Sequence, residues 1–265
     1  LGSVALHAPQ EFERGLNVLL DRGRIEKRGG YGVYQIGALA GGGAVNSLFA
    51  TTSTSQRKLV ATANTRIFGI STAGAVTQLS AAAPNGARYD FTEFNHQGTV
   101  NVIGYTDQAP GHAFRWDSAA AAVTNLVGPG AACGVVTAHS GRVWTAEGRN
   151  IYISDQLKVD TFSPGAKQTL DGMEWYGKVK ALVPLARNFL LVMCERGCYT
   201  ISGSDPGNQS GVPNLHIKAF VDVGCPSTRG VVKIRDEVYF LGVENGVFGL
   251  YMTDGGDTIK LSGNL

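Results

Sequence analysis

The chain is poor in the residues that would mark several common protein types. Four cysteines in 265 residues, Cys133, Cys194, Cys198 and Cys225, are too few and too unevenly spaced for a secreted disulfide scaffold, so reduced thiols are expected. No apolar run approaches the about 18 residues that a membrane-spanning helix needs. The opening LGSVALHAPQEF has neither the basic nor the apolar region of a signal peptide, and the expectation is a protein that does not cross a membrane by itself. Charged residues make up 17%, below the roughly 25% typical of soluble domains. A net charge of +2 gives no broad basic field, which argues against a protein that grips nucleic acid through many phosphates. Long stretches of helical period are missing as well. EFERGLNVLLDRG, from Glu11, alone has helical spacing, and Gly15 interrupts it. The alanine runs at 81–83 and 119–122 are too short for independent helices and are expected to be connectors.

Glycine, by contrast, is abundant: 36 residues, about twice average usage, which points to a turn-rich fold. Those turns fall in a pattern. Five segments share one plan, an apolar run, a short polar or glycine break and a second apolar run: RKLVATANTRIFGIS from Arg57, TVNVIGYTDQAPGHAFRWD from Thr99, GRVWTAEGRNIYIS from Gly141, NFLLVMCERGCYTIS from Asn188 and DEVYFLGVENGVFGLY from Asp236. Their starts are 42, 42, 47 and 48 residues apart. Runs of β-branched and aromatic residues broken by Asn-Thr, Gly-Arg-Asn or Glu-Asn-Gly are hairpin signals. Flanking strands are read at AVTQL, AVTNL, KVKALVPL and TIKLS. Three or four strands per repeat of this length is the arithmetic of a propeller blade, so the expected fold is all-β, a β-propeller with five or six blades. YGVYQIGAL, from Tyr31, is the candidate for a sixth blade or for ring closure. The expected division is an N-terminal extended or adaptor segment, 1–30, and a propeller domain, 31–265. Trp144, Tyr152, Phe189, Tyr199, Tyr239 and Phe248, placed on the paired runs, are expected to pack within or between blades.

The chemistry-bearing residues read mostly as structure. Cys194 and Cys198 have C-x3-C spacing, half of a zinc site with no second half, and the Glu-Arg-Gly between them is a hairpin turn. Ser202 to Gly207 lacks the nucleophile-elbow pattern and has the composition of a turn. Asp155, Asp160, Asp171 and Glu174 could serve acid-base hydrolysis of a glycan only if two of them converge on one bond, and surface acids are the default. Asp254-Gly255-Gly256-Asp257 offers two carboxylates, short of the six to eight ligands of calcium. GGGAVN and GPGAACG fail the dinucleotide spacing and read as loops. No catalytic residue, cofactor or metal is therefore expected. The basic turn DRGRIEKRGGY, with Arg22, Arg24, Lys27 and Arg28 against Asp21 and Glu26, is the candidate subunit interface.

Taken in order, GLNVLLDRGRIEKRGGYGVYQIGAL, AHSGRVWTAEGRNIYISDQ with DTFSPG, VKALVPLARNFLLVMCERGCYTISGSDPG and GCPSTRGVVKIRDEVYFLGVENGVFGLYMTDG resemble the propeller-type tail proteins of short-tailed bacteriophages. Gly29 stands where proline is usual in that family. The resemblance covers roughly residues 15 to 262. It implies a non-enzymatic virion protein, assembled in the host bacterial cytoplasm as a homo-oligomeric, hexameric ring in the tail. Adaptor and portal-side proteins would sit above the ring, a fibre or needle below, and DNA would pass through without specific binding. The rival from another class is a glycan-binding or glycan-hydrolysing propeller.

The mixed charges of the basic turn suit paired contacts across an interface, which salt screens over about 8 Å at physiological ionic strength. Reversing Arg24 and Arg28 to Glu is expected to impair assembly while the subunit stays folded. Electron microscopy of particles beside circular dichroism of the subunit measures both, and normal assembly with failed DNA passage would assign the turn to the channel instead.

Overall fold

A computed structural model describes residues 18–21, 24–27, 39, 44–52, 58–80, 82–108, 113–117, 119–127, 129, 132–170, 174–185, 189–207 and 214–262. The chain divides into two compact units, residues 1–36 and 37–265. In the first, β1 (Val18–Asp21) pairs antiparallel with β2 (Arg24–Lys27), Val18 opposite Lys27 and Asp21 opposite Arg24. Val18 to Asp21, in the second half of the stretch with helical spacing, is thus strand; its β-branched and branched-apolar run pairs instead of coiling. YGVYQIGAL lies outside the described residues except for Leu39.

In the second unit the described residues form five four-stranded antiparallel sheets, each a meander of consecutive strands. The first sheet holds β3 (Val45–Ala50), β4 (Leu59–Ala63), β5 (Arg66–Ile70) and β6 (Val76–Ser80). The second holds β7 (Asp90–His96), β8 (Thr99–Tyr105), β9 (Ala113–Asp117) and β10 (Thr124–Leu126). The third comprises β11 (Val135–His139), β12 (Arg142–Glu147), β13 (Asn150–Ile153) and β14 (Lys167–Thr169). The fourth follows a 3-10 turn at Glu174–Tyr176 and comprises β15 (Val179–Pro184), β16 (Phe189–Cys194), β17 (Cys198–Ser202) and β18 (His216–Val221). The fifth holds β19 (Val231–Ile234), β20 (Glu237–Glu244), β21 (Val247–Thr253) and β22 (Thr258–Lys260). The fold is all-β, of sandwich- or propeller-like character.

Each of the five repeated segments supplies the two central strands of one sheet. Two-residue turns set their register: Ser140 and Gly141 join β11 to β12, and Asn245 and Gly246 join β20 to β21, with positive φ at all four positions. This is the paired left-handed geometry that matches the twist of the flanking strands. GGGAVN is not wholly a loop, because Val45 and Asn46 begin β3. The alanines of 119–122 form a turn between β9 and β10.

Apolar residues fill the spaces between successive sheets. Val60, Ile67 and Leu79 pack on Val102, Phe114 and Trp116 between the first and second. Ile103 and Tyr105 meet Val136, Val143 and Tyr152 between the second and third. Trp144, Ile151 and Ile153 meet Leu190, Val192 and Tyr199 between the third and fourth. Leu191 and Met193 meet Val238, Phe240 and Tyr251 between the fourth and fifth. Trp144, Tyr152 and Tyr199 are buried as expected, but Phe189 and Phe248 are exposed and Tyr239 is half-buried. Phe189 opens β16 at the rim of its sheet, and Tyr239 and Phe248 lie on the outer face of the fifth sheet, which no described element covers.

Trp144 is the largest fully buried side chain, and its indole N–H donates to the His139 carbonyl at 3.1 Å. Trp144→Ala is expected to lose about 3–5 kcal/mol in urea unfolding, whereas Phe248→Ala loses at most about 1 kcal/mol within a single subunit, because only the former leaves a cavity.

Candidate functional site: the cavity at the first strands

The first strand of every sheet is an edge strand, so alternate N–H groups point away from its own ladder and need acceptors. On β7, Asp90 and Thr92 sit two residues apart. On β11, Val136 and Ala138 show the same spacing. Asp90 Oδ2 accepts the Val136 N–H at 2.8 Å and Thr92 Oγ1 accepts the Ala138 N–H at 3.1 Å, which ties the second sheet to the third. Ser47 Oγ on β3 accepts the Tyr89 N–H at 2.8 Å, just before β7. Lys233 on β19 donates to the Pro184 carbonyl of β15, and Arg229 donates to the Asn46 carbonyl of β3 at 3.2 Å.

These first strands surround a cavity of about 590 Å³. β3, β7, β11, β15 and β19 all reach it, with Ser47, Asp90, Thr137, Lys180 and Lys233 among the polar contributors. Four cations, Arg88, Lys180, Arg229 and Lys233, line it against two acids, Asp90 and Asp107. Lys180 is paired at 2.9 Å with Glu195, and that hydrogen bond, first among its causes, holds the Glu195 carboxyl below the ordinary range. Asp90 moves the other way. Burial pushes its carboxyl up to about 6, against the Val136 and Phe91 N–H bonds, which favour the charged form.

The other candidate groups have structural partners. Asp155 is buried and accepts both the Ser163 N–H and its hydroxyl. Glu174 lies 3.6 Å from Arg149, Asp160 accepts the Thr161 hydroxyl, and Asp171 is outside the described residues. The loop after Ser202 is closed by Asn214 Oδ1, which accepts the Ser204 and Asp205 N–H groups, and Asp205 faces the buried Arg142 at 3.5 Å. Asp254 Oδ1 accepts the Gly256 and Asp257 N–H groups, closing the turn between β21 and β22. Cys194 and Cys198 end β16 and begin β17. Burial pushes the Cys194 thiol up to about 12 and raises those of Cys198 and Cys225, which keeps all three protonated at neutral pH. Among the described residues no group of three or more His, Cys, Asp or Glu could hold a metal ion. Of the candidate interface residues, Arg24 and Lys27 lie on β2, while Arg22 and Arg28 are outside the described residues.

Sequence reading missed Asp90 and Thr92. The signal was present as the Asp-x-Thr of YDFTEF, polar residues at period two ahead of the second repeat, but nothing local distinguishes an acid that caps a neighbouring edge from one in water.

No protein-family model and no curated protein sequence matches the chain. Among solved structures, the extracellular domain of a one component system from B. thetaiotaomicron is similar at a TM-score of 0.53 and 11% identity, over 85% of this chain and 29% of that one. The extracellular domain of a hybrid two component system from the same organism gives 0.52 and 11%, over 84% and 28%. U3-55K gives 0.48 and 12%, over 78% of this chain and 60% of its own. The chain thus spans less than two thirds of each, and at these identities the likeness is one of fold alone.

Because the folded state holds the Asp90 proton more tightly than the unfolded chain, this group contributes stability that is present below about pH 4 and lost as pH rises through about 6. The difference in melting temperature between the wild type and Asp90→Asn is therefore expected to shift against the wild type between pH 4 and 7. A constant difference would show that the carboxyl titrates as it would in water.

Proposed function

We propose that the chain is a β-propeller of five or six blades acting as a structural subunit of the tail of a short-tailed phage. The observation that carries the propeller reading is the single cavity reached by the first strands of all five sheets, with Arg229 linking the loop before the last first-strand to Asn46 on the first. Sheets taken in chain order around one axis have the arrangement of propeller blades. The polar groups at that axis support a rigid scaffold role. Asp90, Thr92 and Ser47 accept backbone N–H groups of adjoining segments, and Lys233 and Arg229 satisfy carbonyls, so these groups hold the sheets together. The tail assignment rests on the ordered sequence resemblance. In it, subunits form a hexameric ring that meets adaptor and portal-side proteins on one side and a fibre or needle on the other, and DNA passes along the ring axis without sequence-specific grip.

Negative-stain electron microscopy of the purified protein and of its source particle tests the proposal. Six-fold rings in both, at the same position in the tail, are the expected result. A particle whose tail lacks the protein would remove the tail assignment, and a dispersed protein that retains a glycan on an array would replace it with the glycan-binding reading.

A further inference from the structure

The second sheet changes character along the face it turns to the third. Phe94, Ile103, Ala113 and Leu126 fill the apolar space between the two sheets. The register continues that same face into polar residues: His96 lies opposite Thr99, Asn101 opposite Asp117, and Arg115 between Ile103 and Thr124. These residues line a cavity of about 290 Å³ that shares no lining residue with the one at the first strands, and its apolar contributors are Ala120 and Ala122 alone. Its size is at the lower end of the roughly 300–1,000 Å³ of small-molecule sites.

Two of the polar side chains are withdrawn from water, Asn101 at 5% and His96 at 8% exposure. The His96 Nδ1 is buried with no hydrogen-bond partner. The Leu157 backbone, in the loop after β13, accepts from the ring, so the donor is Nε2 and Nδ1 carries the lone pair. Burial first, then the Arg115 cation, lowers the pKa of the ring; Asp160 and the Leu157 bond oppose them, and Lys158 lowers it further. The ring is therefore neutral at neutral pH and Nδ1 is a bare acceptor. An orphaned buried acceptor is costly, and the cost is met where a ligand supplies the donor. Beside it, the Asn101 amide nitrogen donates to the Thr99 carbonyl at 2.9 Å, leaving Oδ1 to accept, and Asp117 accepts the Ala119 N–H with Oδ1 at 3.0 Å, leaving Oδ2.

We propose that this cavity binds a neutral polyhydroxylated ligand, a single sugar ring. His96 Nδ1, Asn101 Oδ1 and Asp117 Oδ2 each call for a donor, while Arg115 calls for an acceptor, and a hydroxyl is both at once. Charge decides against the other classes of ligand. Arg115 and Asp117 are the charged residues of the lining and cancel, so an anion would meet the carboxylate and an ammonium group the guanidinium. Among the described residues no three His, Cys, Asp or Glu converge to hold a metal ion instead. The site does not rest on the tail reading: rings in micrographs decide that reading, and sugar binding by the same chain decides this one.

Saturation-transfer difference NMR of the full chain tests it, with glucose, galactose, mannose and N-acetylglucosamine titrated in turn and sodium phosphate and calcium chloride added as competitors. At least one sugar is expected to bind with a Kd on the order of millimolar, as suits so small a ligand, and neither salt to displace it. His96→Phe keeps a ring and removes the acceptor, and Arg115→Gln removes the cation. Each is expected to weaken binding about tenfold or more with an unchanged circular dichroism spectrum. A purely structural His96 would instead alter the melting temperature of His96→Phe and leave the Kd as it was. Should that variant fold poorly, Arg115→Gln decides alone. A wild type that binds none of the four sugars, or folded variants that bind as the wild type does, would overturn the site, and displacement by phosphate or calcium would replace the sugar with an ion.

Discussion

The five four-stranded sheets of this protein depend on one another for the covering of their apolar faces. Central strands such as β12 and β16 carry apolar residues on successive positions, Val143 and Trp144 or Leu190 to Cys194, so neither side can face water. Stacking the sheets in chain order solves this for the second, third and fourth, each of which lies between two apolar clusters. It leaves the first and the fifth sheets each beside a single such cluster among the described residues. The exposure of Leu241, Phe248 and Ile259 follows directly from that position at the end of the stack.

Stacking by apolar contact alone would not hold the first strands at the correct height, because a hydrophobic surface tolerates sliding. The period-two match between Asp90 and Thr92 on β7 and the outward N–H groups of Val136 and Ala138 on β11 removes that freedom. A slip by one residue would leave two edge N–H groups and a carboxyl without partners, which costs more than any apolar contact it regains. The cost of placing Asp90 there appears as a carboxyl that ionises only near pH 6. The cavity is thus chiefly the place where the sheets are joined, and its surplus of cations is partly committed, Lys180 to Glu195 and Arg229 to Asn46.

Joined at the cavity and with apolar side chains exposed on its first and fifth sheets, the molecule has the properties of a building unit: rigid inside, with apolar surface still to be covered. Such a unit fits the structural role proposed for it.

The repeated hairpins were legible in the sequence because hairpin chemistry is local. The alternation of apolar runs with Glu-Asn-Gly or Gly-Arg-Asn breaks specifies β20 with β21 and β12 with β13 whatever surrounds them, and the 42-to-48-residue interval spaces the sheets while leaving their number at five or six. The buried positions of Trp144, Tyr152 and Tyr199 followed from the same pattern. What the tertiary structure alone decided is which face of each sheet has a neighbour and which acid meets an edge strand. Phe248 and Tyr199 look alike in sequence, each on a central strand of a repeat, yet one is half-exposed and the other buried because the fifth sheet ends the stack and the fourth does not. Asp90 and Asp254 are likewise both acids in polar contexts. Only the arrival of β11, 46 residues along the chain, makes Asp90 a clamp between sheets, while Asp254 closes a local turn, since burial and partner geometry are properties of the packed assembly and are not encoded at any single position.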